Sequence, residues 1–164
     1  MSRPISTIDS NRIYLDTNAF YLLLREVAPE ATELFREIER GNLYAYASVL
    51  TFDELAYRLL LALIRDVYGK SPLDRLRQNE SEMIAEFSSP VDALLARVTD
   101  YSHLTIVSVE PKDILAMRQN IKQFRLMPRD ALHLAAMQKA NCFHLVSQDS
   151  DFDHIPSITR YSLA

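Results

Sequence analysis

Glycine is almost missing: Gly41 and Gly69 are the only two in 164 residues. Glycine-rich phosphate loops need several glycines close together so that backbone N–H groups can approach a phosphate, and this chain has no such cluster. Cysteine is nearly missing too. Cys142 stands alone, which excludes a disulfide within the chain, fits a cytoplasmic compartment and leaves no thiolate cluster for zinc. An excess of positive charge is also lacking. Eighteen basic against 22 acidic side chains give a formal net charge of -4, so no overall basic field announces a nucleic-acid partner, although a local stripe can still supply one. Long apolar runs are absent: Leu59 to Ile64 is the longest, far short of the roughly 20 residues that span a bilayer. The opening MSRPISTIDS carries no apolar core of signal-peptide length. The expectation is a cytoplasmic protein with no membrane segment.

What is there reads as one globular domain, 1–164. The apolar share is 48% and the charged share 24%, ordinary values for a chain long enough to bury a core. Ile13–Leu15 predicts a short buried strand, and Thr17 or Asn18 a helix cap for a helix to about Glu26. Pro29 opens a second helix that Gly41 and Asn42 stop. Leu43–Ala47 is a second strand, and Ser48 to Thr51 lead into a long leucine-rich helix. Residues 66–80 read as a loop or break inside a helical hairpin inserted around 51–100, with a helix restarting near Ser89 at Pro90 and running to Asp100. Leu104–Ser108 is a third strand. Helices follow from Pro111 to about Phe124, with Ile114, Met117, Ile121 and Phe124 on one face, and from Pro128 to near Asn141. Phe143–Val146 is a fourth strand, 149–153 a turn or short helix, and Ile158–Tyr161 a fifth, edge strand. Strands alternating with helices predict a three-layer α/β/α fold around a parallel sheet of four to five strands.

Ligands of such sheets bind beyond the carboxyl ends of the strands, and that is where acids recur in this chain. Asp16 ends the first strand. Glu54 and Asp130 lie in the first turns of their helices. Asp149 and Asp151 follow the fourth strand, in HLVSQDSDF. With strands one and four as central neighbours, these carboxylates converge. Like charges at close range repel, and a divalent cation held by oxygen ligands relieves the repulsion; Mg²⁺ or Mn²⁺ suits such a set better than Zn²⁺. A cation there would generate an attacking hydroxide, orient a phosphate and stabilise the leaving oxygen, so the expected reaction is hydrolysis of a phosphodiester. Taken singly, each acid has a plainer role. Asp130 is a helix-terminal charge, Glu54 part of a cap, Asp149 to Asp153 a solvated turn and Asp16 a cap.

Four motifs, YLDTNAF, SVLTFDEL, MPRDALHLAAM and HLVSQDSDFDHI, run the length of the chain in order. In these it resembles the PIN-domain ribonucleases, and within them the VapC-like toxins of toxin–antitoxin pairs. The resemblance implies Mg²⁺- or Mn²⁺-dependent cleavage of RNA. It makes Asp16, Glu54, Asp130 and Asp149 catalytic, with Asp16, Asp130, Asp149 and Asp151 toward the metal. Asn18 matches a residue that steadies the first aspartate, and Ser147 stands where threonine is frequent. The partners it implies are an RNA substrate, a small antitoxin protein and a second copy of the chain, since the helix Thr51–Tyr68 carries more leucine than one face needs. Two alternatives stay open: a catalytically silent PIN-fold scaffold or RNA-binding protein, and a stand-alone RNA-processing nuclease.

Other readings of the acids fail on paper. An aspartate-nucleophile phosphatase wants Asp-x-Asp, and Asn18 occupies the second place. A calcium loop starting at Asp149 needs glycine sixth and glutamate twelfth; His154 and Arg160 stand there. His103, His133, His144 and His154 show no ligand spacing, although His133 lies one turn beyond Asp130. Arg118, Lys122, Arg125 and Arg129 recur at helical spacing and read either as a basic stripe for phosphates or as a solvated face.

Overall fold

The computed structural model describes residues 1–163. Six parallel strands form one sheet in the order β1-β6-β5-β2-β3-β4. They are β1 (Arg3–Pro4), β2 (Arg12–Leu15), β3 (Tyr44–Ser48), β4 (Leu104–Val107), β5 (His144–Val146) and β6 (Thr159–Ser162). Seven helices connect them: α1 (Thr17–Leu24), α2 (Pro29–Glu39), α3 (Val49–Tyr68), α4 (Pro72–Gln78), α5 (Glu80–Thr99), α6 (Asp113–Phe124) and α7 (Pro128–Ala140). The parallel α/β arrangement is the expected one. The sheet has six strands because Arg3–Pro4 pairs with Tyr161–Ser162, which moves β6 off the edge. A two-residue strand carries no periodic signal for a sequence reading to find.

The sheet separates two hydrophobic cores. Ile13 and Leu15 of β2 point to one side, with Phe20, Phe35, Leu55 and Leu59. Tyr14 points to the other, with Leu134, Met137, Leu145 and Phe152. This is the two-residue alternation of a strand buried on both faces. Met117, Ile121 and Phe124 of α6 join the second core, but Ile114, expected on the same face, is exposed.

The helical segment departs most from expectation. Residues 72–78, read as loop, form α4, entered through Ser71 in the left-handed region at φ 61°. Pro90 does not start a helix but lies inside the continuous helix α5. The reason is the stripe Met83, Phe87, Val91, Leu94 and Val98, which packs at helical spacing straight through the proline. Burial outweighs the single hydrogen bond that Pro90 removes. The extra leucines of α3 are largely used within the chain: Leu60, Leu61 and Leu63 pack against a third cluster of Ile64, Leu76, Met83 and Phe87. Among the described residues no helix is long and apolar enough to cross a membrane.

Candidate active site

β2 lies between β5 and β3, so the carboxyl ends of the first and fourth expected strands do meet. Asp16 directly follows β2, and its backbone N–H donates to the Val146 carbonyl at the end of β5 at 3.1 Å. It is Asp16 itself, not Thr17 or Asn18, that caps α1. Its Oδ1 accepts from Thr17 N–H at 2.7 Å, and its Oδ2 accepts from the Ser147 hydroxyl at 2.6 Å. Ser147 Oγ also accepts from Asp149 N–H at 3.0 Å. One buried hydroxyl thus ties the first acid to the loop carrying the last ones. Asp149 in turn caps the short 3-10 turn Ser150–Phe152 by accepting Asp151 N–H at 2.8 Å.

The cleft is lined by Asp16, Glu54, Asp130 and Asp149 together with Tyr14, His133, Leu145 and Phe152. Asp130 stands in the first turn of α7, after Pro128. Carboxylate oxygens of Asp130, Asp149 and Asp151 lie within 4.8 Å of one another. Glu54 lies in the second turn of α3, not the first, because α3 starts at Val49; the partial charge of the helix terminus does not reach it. Asn18 bonds elsewhere: its Oδ1 accepts from Arg58 at 3.2 Å.

The electrostatics follow from this crowding. Burial, then the charges of Asp149, Asp151, Asp16 and Glu54, push the Asp130 carboxyl up to about 6. Glu54 is raised as well, by burial first and Asp16 next, against the opposing pull of Arg129 and Arg58. Arg129 leaves the expected basic stripe and turns to the acids, 3.3 Å from Asp53 and 3.5 Å from Glu54. Arg118, Lys122 and Arg125 are exposed along α6 and at its end. The ligand atoms offered at the acidic cluster are all carboxylate oxygens, and its crowding raises the proton affinity of Asp130. Both features fit a hard divalent cation such as Mg²⁺ or Mn²⁺.

Two residues behind the acids escaped the sequence reading. Arg160 of β6 is buried. Its Nη1 donates to the Ser147 carbonyl at 3.0 Å, and its Nε and Nη2 donate to Asp153 at 2.8 and 2.9 Å. A charge inside a predicted strand was the available signal. Arg58 covers the Tyr21 ring at 4.4 Å while donating to Asn18.

The PIN domain family model matches residues 13–158. No curated protein matches the chain. Among solved structures, VapBC2 from Rickettsia felis, bound to a DNA fragment from its promoter, is similar at TM-score 0.61 and 14% identity, over 93% of this chain and 99% of that one. A toxin–antitoxin complex from Klebsiella pneumoniae is similar at 0.52 and 16%, over 90% and 95%. VapC20 of Mycobacterium tuberculosis, a sarcin–ricin loop cleaving toxin, is similar at 0.51 and 14%, over 88% and 95%. At these identities the likeness is one of fold. With the family model spanning all four acidic motifs, the chain belongs to the PIN-domain family.

Proposed function

We propose that the protein is a Mg²⁺- or Mn²⁺-dependent endoribonuclease of the VapC-like kind, the toxin of a toxin–antitoxin pair. The observation that carries this reading is the gathering of Asp130, Asp149 and Asp151 oxygens within 4.8 Å beside Asp16. Asp16, Asp130, Asp149 and Asp151 would hold the cation. When bound, it supplies neutralisation of the carboxylates and of the phosphodiester, and activation of water.

The chain's own residues do the rest. Thr17 N–H and the Ser147 hydroxyl fix both oxygens of Asp16. Glu54, which is not among the proposed cation ligands and whose proton affinity is raised, is suited to accept a proton from the attacking water. The water oxygen forms the new bond to phosphorus as the bond from phosphorus to the leaving ribose oxygen breaks, and that oxygen takes up a proton from bulk water. Arg129 supplies positive charge at the rim, where an RNA phosphate enters, and Arg118, Lys122 and Arg125 would extend the track. The antitoxin and a second copy of the chain are the proposed protein partners; the apolar surface around Tyr57 and Ile84, both about half exposed, is available to them.

The test is cleavage of RNA by purified protein with Mn²⁺. Asp16→Asn and Asp130→Asn should abolish cutting and weaken Mn²⁺ binding by calorimetry while the fold is kept. An inactive parent, or variants that cut as fast as the parent, refutes the nuclease.

A further inference from the structure

We infer that a groove at the amino ends of β2 and β3 docks a basic, amphipathic segment of a partner protein. Its volume is about 710 Å³, against about 70 Å³ for the acid cleft, and falls within the ~300–1,000 Å³ of ligand-holding sites. Asp9, Ser10 and Asn11 lead from it directly into β2, and Asn42 and Leu43 into β3. The acid cleft stands at the opposite strand ends, so an occupant here leaves it open. One wall is the segment 5–11, which starts with the 3-10 turn Ile5–Thr7 and is fastened by the pairing of β1 with β6. The family model begins at residue 13, after this wall. The other wall is α2.

Floor and rim differ in chemistry, and together they select the occupant. Leu34 is buried, and Ile5, Ile8 and Leu43 are partly buried against the first core, so the floor offers apolar contact. Asp9, Glu30, Glu33 and Glu37 supply carboxylates, and among the described residues no lysine or arginine lines the groove. Arg3, Arg36 and Arg40 pair with Asp9, Glu33 and Glu37 from outside it. Such exposed pairs are worth little and yield to a better-placed cation. Glu30 has no ion pair among the described residues. Hydrogen bonds from Tyr161 and Asn42 hold the Asp9 and Glu37 carboxyls below their usual range, so both stay charged. Carboxylates around an apolar floor repel the phosphates of RNA and favour lysine or arginine flanked by apolar side chains, as on a basic amphipathic segment. The exposed basic stretch of a second copy, Ile114 to Lys122 of α6, would meet the groove head to tail. That contact builds rings or filaments and no two-fold dimer, so the occupant is a different chain.

The probes are a short amphipathic peptide of repeated Leu-Lys-Lys-Leu blocks, its Leu-Glu-Glu-Leu counterpart, oligolysine and a single-stranded RNA. In ¹H–¹⁵N NMR of the metal-free protein, the leucine–lysine peptide should shift the amides of 5–11, 30–37 and 42–43. Oligolysine should bind about tenfold more weakly for want of apolar contacts, and the acidic peptide and the RNA should leave these amides in place. Glu30→Lys combined with Glu33→Lys, neither residue being buried, should weaken the leucine–lysine peptide about tenfold or more. If that double variant fails to fold, Glu30→Gln carries the comparison, with about threefold weakening expected. Shifts confined to 130 and 149–151, oligolysine as tight as the leucine–lysine peptide, no shift with any peptide, or binding unchanged by the charge reversal overturns the inference. Self-association of the protein that Glu30→Lys abolishes also overturns it, by making the occupant a second copy. None of these readouts depends on RNA cleavage.

Discussion

The Ser147 hydroxyl donates to Asp16 Oδ2 across 2.6 Å, from a residue 131 positions further along the chain. Because the same oxygen accepts Asp149 N–H, its loss strips a partner from two acid-bearing segments together. Ser147→Ala should lower cleavage about 10- to 100-fold, as for other groups that orient metal ligands. It should also cost about 1–2 kcal/mol of stability from the unpaired groups. Ser147→Thr keeps the hydroxyl and should stay near the parent in both. An alanine variant with parental activity would show that the bond orients nothing.

Asp130 makes the opposite prediction for stability. Its folded carboxyl titrates near 6, above the ordinary 3.8, so the fold disfavours its ionised form. The penalty is absent below about 3.8, grows as pH rises to about 6 and persists at neutral pH. Asp130→Asn should therefore stabilise the metal-free protein at pH 7 while removing activity. Because Asp130 is only partly buried, about 1 kcal/mol is expected, a rise in Tm of about 2–4 °C. A Tm unchanged at pH 7, or equally raised at pH 4, would contradict this origin.

Arg160 works with the reverse sign. Its fork holds Asp153 at about 2. That stabilisation is complete above about 3.8 and disappears as pH falls toward 2. Arg160→Met should cost about 2 kcal/mol at pH 7, less than for a fully buried pair because Asp153 is partly exposed. It should also flatten the acid end of the stability profile. Since Arg160 holds the Ser147 carbonyl, cleavage should fall as well. Denaturant melts between pH 2 and 7 read the first effect.

Pro90, exposed inside α5, leaves the Glu86 carbonyl without its helical donor. Pro90→Ala should restore that bond and raise stability by about 1 kcal/mol or more, seen as a higher denaturant midpoint with unchanged slope. A loss of stability would mean that neighbouring helices need the bend.

The positions of Asp16, Asp130 and Asp149 were legible because each sits at a punctuation point, a strand end or a helix start, that local pattern marks; Glu54 stands a turn further into its helix than that pattern placed it. Their shared cleft followed from the rule that places strands one and four side by side. What stayed hidden was long-range and polar. Nothing near Arg160 in sequence announces the Ser147 carbonyl. Asn18 looked like support for Asp16, but Arg58, forty residues on, claims it. Pro90 misled because a local breaker signal was outvoted by a hydrophobic stripe that only the folded hairpin buries.

The third hydrophobic cluster, Ile64, Leu76, Met83 and Phe87, has a consequence for motion. It closes the far end of the α3–α5 hairpin on itself, while Leu55, Leu59, Leu94 and Val98 fasten the near end to the sheet. The hairpin is thus built as a lever with two separately glued halves. Its tip can open as its own cooperative unit and exchange its amide protons early, while the rooted half and the acid cleft exchange only with the whole fold.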